Sequence, residues 1–182
     1  MNRITKSDDY YPKKEDLLFF DTNIWISILV STGNRENIAS TKKINKVTNL
    51  YKRVLDNQAE ICTSSLVLAE FFNAYMRIEH SRFKNIYENY KRDFRPTKQF
   101  KKAAQAALTL IKENMLCNSV RKLNDKFSTL NIADIENTEI FFDVDFNDYY
   151  ISNICRQYNI PIVTADKDFR NPNIKCDVIL IT

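Results

Sequence analysis

The distribution of hydrophobic and polar residues along the chain predicts short buried strands, most of them followed by a helix. Leu17–Phe20 places four large apolar residues in a row without polar alternation, which is typical of a strand buried on both faces of a sheet. Four further apolar runs predict strands. These runs cover Ala59–Thr63, Glu139–Val144, Pro161–Thr164 and Asp177–Ile181.

Apolar residues that recur every three or four positions predict helices between these strands. Thr22 or Asn23 can cap the first helix, and Ser64 or Ser65 can cap the helix after the second strand. Proline breaks helices, so Pro96 should end the long helix that starts at residue 66 and continues through an aromatic stripe to Phe94. The predicted helices cover residues 24–29, 42–57, 66–94 and 98–115, together with one that starts at Phe146 or Asn147.

Strands that alternate with helices predict an α/β fold with a mostly parallel five-stranded sheet flanked by helices and joined by right-handed crossovers. The length of 182 residues suits a single domain over residues 17–182. A polar N-terminal segment, residues 1–16, precedes it, and a long helical-hairpin insertion occupies about residues 73–125. No apolar run reaches membrane-spanning length, and the N-terminus lacks the apolar core of a signal peptide, so we expect a cytoplasmic protein without a membrane partner.

The composition excludes several classes of active site. Gly33 is the only glycine, whereas dinucleotide fingerprints, Walker A loops and kinase phosphate loops need several glycines at fixed spacing. The four cysteines are far apart, and His80 is the only histidine, so a zinc site and a Ser-His-Asp triad are both disfavoured. Any phosphate chemistry must therefore use metal ions or basic side chains.

Four acidic residues occupy equivalent places at the carboxyl ends of the predicted strands. Asp21 follows the first strand and Asp166 follows the fourth, while Glu70 and Asp148 lie in the first turns of the helices after the second and third. In a parallel sheet all four meet at one edge, where ligands bind. Each one alone is also explained as a helix cap, a turn residue or a solvated side chain, but four together favour a site for Mg²⁺ or Mn²⁺, which relieves carboxylate repulsion.

Four stretches of the chain resemble the PIN-domain family, and more narrowly the VapC-like toxin ribonucleases. These stretches are Phe20–Asn23, Ser65–Glu70, Asp145–Asp148 and Asn159–Phe169. The resemblance implies a PIN-like fold and a Mg²⁺- or Mn²⁺-dependent endoribonuclease, the toxin of a type II toxin–antitoxin pair. It also implies an RNA substrate, a cognate antitoxin and a homodimer.

The same resemblance assigns the residues of the site. Catalysis and metal binding are implied for Asp21, Glu70, Asp148 and Asp166. Secondary roles fall to Asn23, Thr164 and Asp168. Asp145 competes with Asp148 for the third acidic place, and we favour Asp148 because its distance to the Ile-Val-Thr-Ala-Asp segment matches the family pattern.

The insertion carries the positive charge of the chain. Between Arg77 and Lys122 there are 12 basic and 4 acidic residues, a net charge of +8, so the rest of a chain whose total is +4 has a net charge of −4. A basic surface beside an acidic site can hold RNA phosphates, although a solvated helix face or a docking surface for an acidic protein explains the pattern equally well. The candidate RNA-binding residues are Lys84, Lys91, Arg92, Arg95, Lys98, Lys101 and Lys102.

Three alternatives to a toxin ribonuclease are left open. The first is a PIN-type RNA-processing nuclease outside a toxin–antitoxin pair. The second is a non-catalytic PIN module that binds RNA or protein. The latter should lack one of the acids, and none is missing. An aspartyl-phosphate hydrolase also places an aspartate after its first strand, but it resembles Asp-x-Asp, and here the third residue is Asn23.

Overall fold

The computed structural model describes residues 3–30, 38–125, 128 and 144–182, with only the backbone described for residues 38–40. Their central feature is a sheet of six strands in which every pairing is parallel. The strands are β1 (Ile4–Lys6), β2 (Leu17–Phe20), β3 (Glu60–Thr63), β4 (Val120–Lys122), β5 (Ile162–Thr164) and β6 (Val178–Leu180). Their order across the sheet is β1-β6-β5-β2-β3-β4.

The apolar strand β2 lies at the centre of the sheet, with Leu18, Phe19 and Phe20 fully buried. It pairs with β3 on one side and with β5 on the other. The chain moves outward from β2 through β3 to β4, and later returns to the opposite side of β2 with β5 and β6. This reversal creates a crevice at the carboxyl ends of β2 and β5, the place where open α/β sheets bind ligands.

The sheet has six strands where the hydrophobic pattern predicts five. The unpredicted strands, β1 and β4, have three residues each and form the two edges, where residues such as Arg121 and Lys122 are exposed. Because edge strands carry polar residues, they lack the apolar run that marks a buried strand. Of the strand predicted over residues 139–144, the structure describes only Val144. This residue is buried and lies in a bend.

The described residues form five α-helices, and three of them begin at a residue whose side chain caps the helix. The helices are α1 (Thr22–Leu29), α2 (Ile38–Asp56), α3 (Ser65–Arg82), α4 (Lys98–Leu110) and α5 (Phe146–Tyr158). Asp21, Thr97 and Asp145 accept hydrogen bonds from backbone amides at the starts of α1, α4 and α5. Asn159 ends α5 in the left-handed conformation, and Pro161 follows two residues later.

The prediction of one helix from residue 66 to Phe94 is wrong, because α3 ends at Arg82. The His80 ring bonds the backbone oxygen of Tyr87 across a turn, at 2.7 Å. Asn89 then caps a separate π-helical segment, Tyr90–Phe94, by accepting hydrogen bonds from two backbone amides. The helical hairpin is therefore formed by α3 and α4, and α4 continues into a second π-helical segment, Ile111–Met115.

The hairpin has a small hydrophobic core of its own. Met76, Phe94 and Ala103 are buried there, and partly buried aromatic residues from both sides of the turn surround them. The aromatic residues predicted to form a stripe along one helix thus pack against each other as a cluster of rings. No helix in the described ranges combines the length and the apolar character needed to cross a membrane.

Candidate active site

Four carboxylates meet in a cleft at the carboxyl ends of the central strands. Asp21 directly follows β2 and Asp166 lies just beyond β5, while Asp148 projects from the first turn of α5 and Glu70 from the second turn of α3. All four line one cleft of about 420 Å³. The structure therefore brings together the four residues that the sequence analysis places at this edge.

Asp21 is the most deeply enclosed of the four, and hydrogen bonds hold both of its oxygens. Its Oδ1 accepts from the backbone amide of Thr22 at 2.6 Å. Its Oδ2 accepts from the hydroxyl of Thr164 at 2.6 Å and from the amide nitrogen of Asn23. The Asn23 oxygen in turn accepts from the backbone amide of Ala165 at 2.9 Å, which ties α1 to the end of β5. Asn23 and Thr164 therefore orient Asp21.

Glu70 is held by two side chains that the sequence analysis did not assign to the site. The Thr22 hydroxyl donates to its Oε2 at 2.7 Å, and the Asn147 side-chain amide donates to its Oε1 at 2.6 Å. These bonds connect α3 to the start of α1 and to the start of α5. Both residues directly adjoin a predicted acid, Thr22 after Asp21 and Asn147 before Asp148, and both lie within stretches that resemble the PIN-domain family.

The closest group of carboxylates consists of Asp148, Asp166 and Asp168. One oxygen from each lies within 4.8 Å of the others, a spacing that allows them to share a cation. The backbone amide of Asp168 donates to Asp166 Oδ1 at 3.0 Å and fixes the turn after β5. Asp145 instead accepts from the Asn147 amide at 2.9 Å as the cap of α5, and it does not line the cleft.

The surroundings disfavour negative charge on two of the acids. Burial raises the pKa of Asp21 to about 6, aided by repulsion from Glu70 and Asp166 and opposed by its hydrogen bonds to Thr164 and Thr22. Burial likewise raises the pKa of Asp148 to about 7, with repulsion from Asp21, Asp166, Asp145 and Glu70. In the part of the chain that the structure describes, no lysine or arginine forms an ion pair with any carboxylate of the cleft.

This donor set fits a hard divalent cation. The converging groups are carboxylate oxygens, which Mg²⁺ and Mn²⁺ prefer, and no cysteine or histidine lines the cleft among the described residues. A cation also compensates the repulsion that raises the pKa values of Asp21 and Asp148. Asp21, Glu70, Asp148 and Asp166, with Asp168 beside them, are therefore the residues able to hold it.

All seven candidate RNA-binding residues of the insertion are exposed. Arg92 differs from the others because its guanidinium is bound by Asp93 at 2.7 Å, and this bond raises the pKa of Arg92. The other six side chains form no ion pair within the described ranges. They lie in the turn after α3, around the first π-helical segment and at the start of α4.

This fold and this cleft agree with the comparisons of the chain with known proteins. The model of the PIN domain matches residues 18–175, so the chain belongs to the PIN-domain family, whose members are typically nucleases. The fold is also similar to that of a VapC protein in the VapBC2 complex of Rickettsia felis, solved bound to a DNA fragment from their promoter. That likeness has a TM-score of 0.50 at 15% identity and covers 89% of this chain and 98% of the other. A search of curated proteins finds no significant match.

Proposed function

We propose that this protein is a Mg²⁺- or Mn²⁺-dependent endoribonuclease and the toxin of a type II toxin–antitoxin pair. The observation that carries the proposal is the convergence of four carboxylates in one cleft, which Lys43 also lines; among the described residues no lysine or arginine forms an ion pair with any of the four. Membership of the PIN-domain family supports a nuclease, and the VapC fold neighbour supports the toxin.

In this proposal Asp148 and Asp166, with Asp168 beside them, hold the cation, and Asp21 and Glu70 complete the site. When bound, a divalent ion activates water for attack on a phosphodiester and stabilises the charge that develops on it. The residues around the carboxylates fix their positions. Asn23 and Thr164 hold Asp21, while Thr22 and Asn147 hold Glu70, so that few side chains must reorganise when substrate binds.

The proposal also implies two protein partners, a cognate antitoxin and a second copy of this chain. Co-expression with the product of a small adjacent reading frame, followed by purification and light scattering, measures both. A nuclease that purifies alone and lacks such a neighbour would instead be an RNA-processing enzyme.

Cleavage of a labelled single-stranded or looped RNA tests the activity itself. We expect EDTA to abolish cleavage and Mn²⁺ or Mg²⁺ to restore it, because oxygen ligands select hard cations. Full activity in EDTA, or rescue by Zn²⁺ alone, would contradict the assignment. A protein that binds RNA but cleaves none with any of these ions would be a non-catalytic PIN module.

A further inference from the structure

A second cavity lies on the helical hairpin, further along α3 than the acidic cleft. It has a volume of about 430 Å³ and is enclosed by α3, the π-helical segment Tyr90–Phe94 and the start of α4. This volume is within the range of small-molecule sites, roughly 300–1,000 Å³. Arg77, which lines it, is seven residues after Glu70, two helical turns or about 10 Å along the same side of α3. The cavity and the cleft thus follow one another along one helix.

Three cations line this cavity, and none of them is neutralised. Arg77, Lys91 and Arg95 are exposed, and within the described ranges no carboxylate lies at ion-pair distance from them. Two arginines provide planar guanidinium groups that can each bind a phosphate through two parallel hydrogen bonds.

Two acidic residues near the cavity are bound by other arginines. Arg82 holds Glu79 at 2.5 Å, and Arg92 holds Asp93 at 2.7 Å. The positive charge of the cavity is therefore available for an anionic ligand.

Aromatic rings form another wall of the cavity. Tyr90 and Phe100 pack edge to face with their centroids 6.3 Å apart, and both rest on the buried ring of Phe94, at 6.0 and 5.8 Å. Because this cluster fixes their orientation, the rings can receive a flat ligand at little entropic cost. Nucleobases stack on such rings irrespective of their sequence.

We propose that this cavity binds one nucleotide of single-stranded RNA, with its phosphate on Arg77 and Arg95 and its base against Tyr90 and Phe100. The choice of RNA rests on the proposed nuclease function. The site would hold the strand a short distance from the point of cleavage. An acidic peptide would use the same cations but would have no need of the rings, so the combination of rings and guanidinium groups favours a nucleotide.

Fluorescence anisotropy with a short labelled single-stranded RNA tests this site. The Asp21→Asn variant in EDTA serves as background, so that the RNA stays intact. Replacing Arg77 and Arg95 by Gln should raise the Kd about tenfold or more and flatten its salt dependence. The matched control replaces Lys14 and Lys52, exposed cations outside both the cavity and the basic insertion, and should raise the Kd less than about threefold because such charges are screened.

The rings are tested separately by Phe100→Leu, which keeps an apolar side chain and removes the stacking surface. It should weaken RNA binding about fivefold or more, whereas binding of an acidic oligo-glutamate peptide should not change. Equal losses in the two double variants, or an unchanged Kd for Phe100→Leu in a protein that melts normally, would overturn the proposal. Stronger competition by the oligo-glutamate peptide than by the RNA would also overturn it, in favour of protein docking.

Cleavage assays keep this proposal distinct from the nuclease. With Asp21 intact, the Arg77→Gln and Arg95→Gln double variant should show a raised KM and a nearly unchanged kcat. If RNA binds through the cavity but no metal supports cleavage, the site stands and the nuclease fails. If cleavage proceeds with an unchanged KM, the nuclease stands and the site fails.

Discussion

At the scale of single residues, Asp21 has two functions that do not exclude each other. Its Oδ1 caps α1, and its Oδ2 accepts a hydrogen bond from the Thr164 hydroxyl at the carboxyl ends of the paired strands β2 and β5. These bonds occupy three of about four acceptor positions of the carboxylate, so one position stays available to a cation. The same carboxylate thus starts a helix, joins two strands and faces the cleft.

Substituting Asp21 by Asn separates these functions. Asparagine keeps the shape and the capping ability but removes the charge, so we expect a folded protein whose RNA cleavage falls by about two orders of magnitude or more. Without metal its Tm should rise, since the repulsion in the cleft is relieved. Asp148→Asn should behave alike, and Asp145→Asn, at a cap outside the cleft, is the matched control. A fully active Asp21→Asn protein would refute the proposed nuclease function. A larger loss of cleavage from Asp145→Asn than from Asp148→Asn would assign the third acid of the site to Asp145.

Asn147 is expected to act by positioning Glu70. Asn147→Ala removes the 2.6 Å hydrogen bond to Glu70 Oε1, and we expect the affinity for Mn²⁺ to fall about 10- to 100-fold. Isothermal titration with Mn²⁺ measures this loss independently of cleavage. Asn173→Ala, in the loop before β6, is the control and should leave Mn²⁺ affinity unchanged. Unaltered Mn²⁺ binding by Asn147→Ala would exclude the positioning role.

The acids of the site and two side chains that hold Asp21, Asn23 and Thr164, could be predicted from sequence, but the hydrogen-bond partners of Glu70 could not. Asp21 and Asp166 follow apolar runs, so the polarity of a parallel sheet already places them together. The bond between Asn147 and Glu70 spans 77 residues and depends on how α5 approaches α3. Asp168 likewise joins the closest group of carboxylates only through the geometry of the turn after β5.

At the scale of elements, the hairpin is a semi-independent unit. Its small core around Phe94 is separate from the main core beneath the sheet, although Phe72 and Tyr75 on α3 touch both. Sequence analysis predicted the helices of this region and the break at Pro96 but not the turn after Arg82. That turn depends on contacts such as the one from His80 to the Tyr87 oxygen, which no local periodicity encodes.

Phe94→Ala should locally unfold the helical hairpin while the sheet stays folded. Phe94 is fully buried among five other aromatic rings, and its truncation costs about 3–5 kcal/mol, more than a small core can compensate. Hydrogen exchange should therefore accelerate over residues 83–105 and stay slow in β2 and β5. Ile86→Ala, at a side chain 71% exposed in the same turn, should change neither. Uniform loss of protection across the sheet would show that the hairpin belongs to a single cooperative unit.

At the scale of the whole molecule, charge is separated between the basic insertion and an acidic remainder that contains the cleft. The pKa values of Asp21 and Asp148 are raised mainly by burial, and repulsion among the acids of the cleft adds to this. Composition and spacing predicted this separation because it depends only on where charged residues fall along the chain. The size of the pKa changes depends on burial and required the structure.

Stability of the metal-free protein should fall as the pH rises. Asp21 and Asp148 titrate near 3.8 in the unfolded chain and near about 6 and about 7 in the folded protein, so the folded protein binds more protons between these values. These two groups should therefore lower the Tm in EDTA between about pH 4.5 and about pH 7.5. Mn²⁺ should raise the Tm most at the upper end, where protons no longer compete for the carboxylates. Asp148→Asn should reduce the fall of the Tm with rising pH in EDTA. An unchanged fall in this variant would contradict the assignment of this pH dependence to the carboxylates of the cleft.

Because β1 pairs with β6, the sheet cannot be completed before β6 has been synthesised. Ile4 pairs with Val178, 174 positions away, so a ribosome adding roughly 5–20 residues per second leaves the first strand without its partner for roughly 9–35 s. Asp166 also follows the other three acids of the cleft, which cannot assemble before it is made. A nascent chain therefore carries no complete acidic cleft until Asp166 has been synthesised.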